Sequence, residues 1–285
     1  MQFRAAAVQF APVKGDLEAN LTSIANLGLE ASKQGADVAV MPESATCGYI
    51  LEGAANENAL TADELLSELQ QRLAGLERTL DILVGFYEKS GGQPYNSAAY
   101  LEFGPGSAKI VHVYRKFFLP TYGVFDEERF HTRGRELGVF DCRLGRFGVL
   151  ICEDVWHSIL STLSAVSGAQ MLLVPSASPG RGFQDAKPGN VLRYERMLRS
   201  ISEEHGIYCL AAMLTGFEGG KGFTGGSMLY DPFGNQVAQC PIGEEAMVLA
   251  DIDLGLVEVA NSKTPLVGDL KSVWSDIRRL VGSLE

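Results

Sequence analysis

The sequence has no apolar run long enough to cross a bilayer. Its four histidines (112, 131, 157 and 205) form no HxH or HExxH pattern, so a dedicated zinc site is not expected. Its five cysteines (47, 142, 152, 209 and 240) are odd in number, widely spread and without a CxxC pair. That is not a disulfide framework, and it fits a reducing compartment, the cytoplasm. Positive charge is the scarcer sign: 24 Lys and Arg against 35 Asp and Glu give a formal net charge of −11. Nucleic acid and anionic membranes both call for a basic surface, so neither is expected as a partner. A local basic pocket is still allowed. The opening Met1-Gln2-Phe3-Arg4 and Ala5 to Val8 stops at Pro12, without the apolar stretch and cleavage site of a signal peptide.

What is present belongs to a globular chain: 285 residues, 46% apolar and 21% charged. Length alone allows one large domain or two small ones. Phe3 to Phe10 reads as a buried strand. Asp16 can cap a helix on which Leu17, Leu21 and Ile24 recur at helical spacing, and Gly35 can end it. Val38 to Met41 is a second strand, so the chain opens β-α-β, which favours parallel strands. Residues 62 to 78 read as a helix and Ile82 to Phe86 as a strand. Ser97 to Phe103 and Lys109 to Tyr114 read as a hairpin around Gly104-Pro105-Gly106. Strands follow at Phe147 to Ile151, Met171 to Val174 and Ile207 to Met213, with helices at 158–166 and 190–204. A last hairpin spans Ser227 to Cys240, turning at Asp231 to Asn235. With no linker or repeat in between, a single mixed α/β domain over residues 1–285 is expected.

Three strands end abruptly in a reactive or charged residue: Val40-Met41-Pro42-Glu43, Val113-Tyr114-Arg115-Lys116 and Val149-Leu150-Ile151-Cys152. Strand ends are where side chains converge on a crevice in α/β folds. Together they offer a nucleophile (Cys152), a base (Glu43) and a cation for the thiolate and an oxyanion (Lys116), with backbone N–H groups after Cys152 completing the oxyanion site. Each has a plainer reading taken alone: Cys152 as inert core, Glu43 as a solvated strand cap, Lys116 as a surface cation beside Arg115.

The surroundings of these residues carry a resemblance. Ala7-Val8-Gln9, Met41-Pro42-Glu43, Tyr114-Arg115-Lys116 with Leu119-Pro120, and Gly148 to Asp154 come first. Pro175-Ser176-Ala177-Ser178-Pro179 and Gly225-Gly226-Ser227 before Asp231-Pro232-Phe233-Gly234 follow. In this order they resemble the nitrilase, or carbon–nitrogen hydrolase, superfamily over almost the whole chain. The resemblance implies a Glu43–Lys116–Cys152 triad hydrolysing non-peptide C–N bonds without metal or organic cofactor. It also implies a four-layer α-β-β-α sandwich, dimerised through its helices as a homodimer or higher homo-oligomer.

Lys116 to Phe130, and Cys152-Glu153-Asp154-Val155-Trp156, resemble more closely the glutaminase domain of glutamine-dependent NAD synthetases. That resemblance gives Tyr122 and Glu127 places in the site, with Glu127 orienting Lys116; a loop pair with Arg129 is the alternative for Glu127. The region after Ser178 approaches the substrate in such relatives. Ser176 or Ser178 can hydrogen-bond a carboxamide, Glu153 joins them as a substrate-binding residue, and Arg181 either pairs with a substrate carboxylate or is solvated. Two departures stand out. The only Ser-Gly-Gly, at 90–92, continues Gln93-Pro94-Tyr95, so no SGGxDS pyrophosphate loop is present and the ATP-using half is expected to be absent. Ala211 to Gly216 lacks an Asn-x-Val-Gly segment.

Around Lys221, Gly222 stands where a phosphate loop needs Ser or Thr and Thr215 where it needs Gly, so a hairpin is expected there. His157 lies five positions after Cys152, a spacing that does not itself bring them together. Trp156 is expected as a wall of the pocket or of an interface, and Cys47 as core. The leading functional expectation is an amidase for small carboxamides, glutamine-like ones included, that releases ammonia through a Cys152 thioester. Alternatives are a nitrilase, a carbamoyl hydrolase and an ammonia-supplying subunit needing a synthetase partner; a non-catalytic interaction protein ranks last.

Overall fold

The computed structural model describes residues 1–49, 52–183 and 187–284. In chain order the elements are β1 (Gln2–Gln9), α1 (Leu17–Lys33), β2 (Val38–Val40), α2 (Ala62–Arg72), β3 (Leu80–Ser90), β4 (Gln93–Gly104) and β5 (Ser107–Arg115). Then come α3 (Glu127–Phe130), β6 (Val139–Cys142), β7 (Gly145–Val149), a 3-10 turn at Cys152–Trp156, α4 (Ser158–Val166), β8 (Met171–Ser176), α5 (Gly189–His205) and β9 (Tyr208–Met213). The chain closes with β10 (Thr215–Glu218), β11 (Lys221–Thr224), β12 (Met228–Tyr230), β13 (Gln236–Gln239), β14 (Ala246–Asp253), α6 (Gly255–Lys263), α7 (Leu266–Ser272) and α8 (Trp274–Gly282).

The strands form two six-stranded sheets, ordered β14-β1-β2-β3-β4-β5 and β13-β12-β9-β8-β7-β6. Each has a parallel core, β1-β2-β3 in one and β7-β8-β9 in the other, flanked by antiparallel strands. Parallel neighbours need crossovers, and α1, α2, α4 and α5 supply them. The inward faces meet in a core of Val38, Val40, Leu83, Tyr100, Phe147, Val149, Leu173 and Leu210. The outer face of the first sheet packs on α1 and α2 through Leu21, Ile24, Leu65 and Leu69. The outer face of the second packs on α4 and α5 through Leu160, Val191, Tyr194 and Leu198. The expected α-β-β-α sandwich is therefore the observed architecture.

Local chemistry explains the helix limits. The Asp16 carboxylate accepts from the Ala19 N–H at 3.0 Å and starts α1. Thr61 and Glu64 form a reciprocal capping box at the start of α2. α2 stops at Arg72, short of the expected residue 78: Gly75 disfavours helix, and a turn from Leu73 to Leu76 buries both leucines. The glycine-rich stretch around Lys221 is the β10–β11 hairpin. β14, not foreseen from the sequence, lies antiparallel to β1 over eight residue pairs. No described helix is long and apolar enough to cross a membrane.

Candidate active site

The three strand ends converge. Glu43 follows β2, and its loop lies flush on β3: a Cβ on Gly85 would sit 2.4 Å from the Pro42 carbonyl oxygen. Only glycine allows that approach. Lys116 ends β5. Strand alternation sends Arg115 the other way, where it makes a two-point pair with Glu88 at 2.7 and 2.8 Å. Lys116 is 1% exposed and Glu43 is fully buried.

Lys116 Nζ donates to Glu43 Oε1 at 2.7 Å and to Glu127 Oε1 at 2.6 Å. Asn96 on β4 bridges the same two acids, donating to Glu43 Oε1 at 2.8 Å and Glu127 Oε2 at 3.3 Å. The Tyr49 hydroxyl donates to Glu127 as well. Glu43 Oε2 accepts from the Ala177 N–H at 2.8 Å. Three donors therefore occupy three of about four lone-pair sites on Glu43, leaving one on Oε2.

Charge follows from this geometry. Burial works against an ionised Lys116, but Glu127 and Glu43 outweigh it and hold the ammonium well above its ordinary range. Burial raises the Glu43 carboxyl; Lys116 pulls it down, and Glu127 pushes it up again. Two acids share one cation, and so Glu43 keeps more basicity than a simple ion pair would allow. Glu127 is the first residue of α3 and bonds Lys116, while Arg129 pairs with Asp126 at 3.7 Å.

Cys152 opens the 3-10 turn after β7 and is 7% exposed. Its φ is +48°, in the left-handed region that non-glycine residues seldom occupy; Ser44, next to Glu43, has φ +52°. Such strain gathers where a side chain must be aimed. The thiol donates to the Ala177 carbonyl at 3.8 Å and lies 3.4 Å from the Tyr194 hydroxyl. Ala177 thus binds Glu43 through its N–H and Cys152 through its C=O. Burial, then the Glu43 charge, raise the thiol pKa, while Lys116 pulls it down. The resting sulfur is a thiol, so attack must be coupled to proton removal.

Sequence reasoning missed the parts that fix these groups in place. Asp154 is fully buried and accepts from the Phe118 N–H at 2.8 Å, the Phe117 N–H at 3.1 Å, the Ile151 N–H at 3.1 Å and the Tyr114 hydroxyl at 2.9 Å. One carboxylate therefore ties the backbone just after Lys116 to the backbone just before Cys152. Burial pushes its pKa up to about 7. Asn96, Tyr49, Tyr194 and Ala177 were missed too; the first three do not stand at a strand end, and Ala177, just after β8, carries no side-chain signal of its own and was marked only by the Ser-Ala-Ser-Pro segment.

The remaining expected residues do not bond the Glu43–Lys116–Glu127 cluster; Ser176 reaches the site through Tyr194, whose hydroxyl touches the sulfur. Tyr122 is 47% exposed and donates to Glu153 Oε2 at 2.8 Å. Ser176 is buried with its hydroxyl 3.5 Å from the Val174 carbonyl, and the buried Ser178 hydroxyl accepts from Asn190 at 3.2 Å. His157 lies 3.6 Å from Glu153 and stacks on Phe118, away from Cys152. Cys47 packs among Ala55, Ala59 and Tyr87, and burial pushes its pKa up to about 12. Trp156 lines a cleft with Tyr122, Glu153, Arg181 and Arg193. Asp185 and Ala186, in the segment expected near the substrate, lie outside the described residues.

Comparison with known proteins agrees with this layout. A family model described as carbon-nitrogen hydrolase matches residues 4–261. The glutamine-dependent NAD(+) synthetase of Thermotoga maritima is 32% identical over 260 residues, covering 89% of this chain and 42% of that protein. The solved glutamine-dependent NAD+ synthetase of Acinetobacter baumannii, in complex with ADP, superposes with a TM-score of 0.78 at 26% identity, over 90% of this chain and 47% of its own. A carbon-nitrogen hydrolase from Helicobacter pylori G27 shares the fold over 94% of this chain and 95% of its own, with a TM-score of 0.82 at 23% identity. The chain spans about half the length of the curated relatives it matches.

Proposed function

The chain belongs to the carbon–nitrogen hydrolase family, and on that premise we propose that it is an amidase releasing ammonia from small, glutamine-like carboxamides. The observation that carries the proposal is the buried Glu43–Lys116–Glu127 cluster joined to Cys152 through both polar groups of Ala177.

In the proposed reaction Cys152 Sγ attacks the amide carbon as Glu43 takes the thiol proton. The carbonyl oxygen becomes an oxyanion held by the Lys116 ammonium and by N–H groups after Cys152. Glu43 returns the proton to the departing nitrogen, the C–N bond breaks, and ammonia leaves a thioester on Cys152. Glu43 then removes a proton from water, which attacks the thioester carbon. The acid departs and the sulfur regains its proton. Glu127 does not touch substrate in this scheme; it holds Lys116 charged. Tyr122, Glu153, Ser176 and Ser178 are proposed to contact the substrate. Residues 1–285 act as one hydrolase domain, because strands from both halves of the chain line the intersheet core.

Ammonia release from a panel of amides, nitriles, ureido compounds and glutamine tests the assignment. Turnover of amides that is lost in Cys152→Ala is expected. Turnover of nitriles alone, or turnover surviving Cys152→Ala, would refute it. A second reading, an ammonia-supplying subunit, draws support from the NAD synthetases among the relatives. It expects weak glutaminase activity alone and stimulation by a separate synthetase chain.

A further inference from the structure

We infer that Glu218, at the end of β10, is a positioning residue for catalysis: through Tyr49 it fixes the carboxylate that holds Lys116. The inference rests on the amidase reading and adds to it a residue outside the Glu43–Lys116–Cys152 triad. Strand β10 has an inverted pattern. Phe217 is 89% exposed and its neighbour Glu218 is 4% exposed, so the hairpin sends a phenylalanine to solvent and a carboxylate inward. Burying a carboxylate is costly unless donors meet it. Glu218 Oε2 accepts from the Tyr49 N–H at 2.8 Å, across 169 residues of chain. Gly48, with φ +83°, clears the space: a Cβ there would lie 2.9 Å from Glu218 Oε1.

The rest of Tyr49 is held as firmly. Its carbonyl accepts from the buried Tyr87 hydroxyl at 2.7 Å, and its ring meets Phe125 and Phe223 edge-on, at 6.2 and 6.1 Å between centroids. Phe223 belongs to β11, so one hairpin grips both the backbone and the ring of Tyr49. The Tyr49 hydroxyl donates to Glu127 Oε1, the oxygen that also takes the Lys116 ammonium, and Lys116 Nζ lies 5.9 Å from the Tyr49 ring centroid. A carboxylate free to rotate can offer Lys116 either oxygen; the hydroxyl selects one. Without the Glu218 acceptor the buried Tyr49 N–H loses its partner, and the backbone around it is expected to shift toward another. Tyr49, Glu127 and Lys116 then lose register, and the oxyanion loses a cation placed where its charge develops.

Glu218→Ala, Tyr49→Phe and the double variant separate positioning from a general structural part. Glu218→Ala is expected to lower kcat on a small carboxamide by about tenfold or more, with KM within about threefold. In the Tyr49→Phe background it is expected to add less than about threefold, because the route through the hydroxyl is already cut. Alkylation of Cys152 by iodoacetamide, followed by peptide mass spectrometry, reads the same route without turnover. Lys116 pulls the thiol pKa down, so Glu218→Ala should slow alkylation by about threefold or more, and only where the Tyr49 hydroxyl is present. A kcat within about threefold of wild type, a matching rise in KM, or the same loss in both backgrounds would overturn the inference while leaving amidase activity established. If the wild type turns over no amide, the amidase reading fails on its own and alkylation decides. A rate unchanged in Glu218→Ala, or slowed equally with and without the Tyr49 hydroxyl, would overturn the inference. Circular dichroism checks that each variant is folded; if Glu218→Ala is not, Glu218→Asp, which keeps the charge and shortens the reach, is held to the same criteria.

Discussion

The floor of the site and its mouth use the same residue types in opposite ways. On the floor, Glu43, Lys116, Glu127 and Asn96 are nearly inaccessible to solvent, and each charge is held by named donors or acceptors. At the mouth, Tyr122 and Arg193 are exposed, and the arginines face aromatic rings. A buried ion cluster is costly to assemble, but once built it keeps its geometry and charge. An open, half-committed cleft keeps donors free for a ligand. On the proposed reading, chemistry belongs to the floor and substrate contact to the mouth.

Perturbing the floor should have the largest effects. Cys152→Ala is expected to lower kcat on the order of 10⁴-fold or more, to background ammonia release, with an unchanged fold. Glu43→Gln removes the proposed base and should cost roughly 10²- to 10⁴-fold in kcat. Lys116→Ala leaves two buried acids without their cation, so chemical denaturation should register a loss of about 3–5 kcal/mol beyond any loss of activity. If Lys116→Ala is as stable as the wild type, the floor is not the tightly coupled ionic cluster described.

Asp154→Asn probes the link between the two strand ends. An amide cannot accept from all four donors, so Lys116 and Cys152 should lose register. A fall in kcat of up to about 100-fold with KM little changed is expected. A matching rise in KM would instead place Asp154 in substrate binding.

Acid stability offers a smaller, sharper test beside the floor. His131 stacks on Tyr87, and burial holds its pKa down at about 4. The folded state therefore keeps it neutral while the unfolded chain protonates near 6.5. Its contribution is fully present above pH 6.5 and is lost as pH falls toward 4, by roughly 3 kcal/mol at most. His131→Phe should lose less stability than the wild type across that window. An identical pH profile would contradict the assignment. At the mouth, Tyr122→Phe deletes one hydroxyl, at 47% exposure, and should change kcat/KM only a few-fold, on the order of one net hydrogen bond.

The strand ends at Glu43, Lys116 and Cys152 were legible because an apolar run broken by a charged or reactive side chain is a local signal. The β-α-β opening, the hairpin around Gly104 to Gly106 and the helix over 158–166 were legible for the same reason. Asn96, Tyr49 and Tyr194 were not. Their roles depend on which strand lies beside which: Asn96 reaches Glu43 only because β4 lies on β3 and β3 on β2. β14 escaped notice because its partner β1 is at the other end of the chain. Asp154 was visible as a residue, but its role was hidden, since three of its four donors belong to residues 36 to 40 positions away.

The most direct measurement is mass spectrometry of protein quenched with acid during turnover of a small carboxamide. An acyl group on the peptide holding Cys152, absent after substitution of Glu43 by Gln and gone once substrate is exhausted, is the expected result. Turnover with no acyl group there, or an acyl group on Cys47, Cys142, Cys209 or Cys240 instead, would contradict the account.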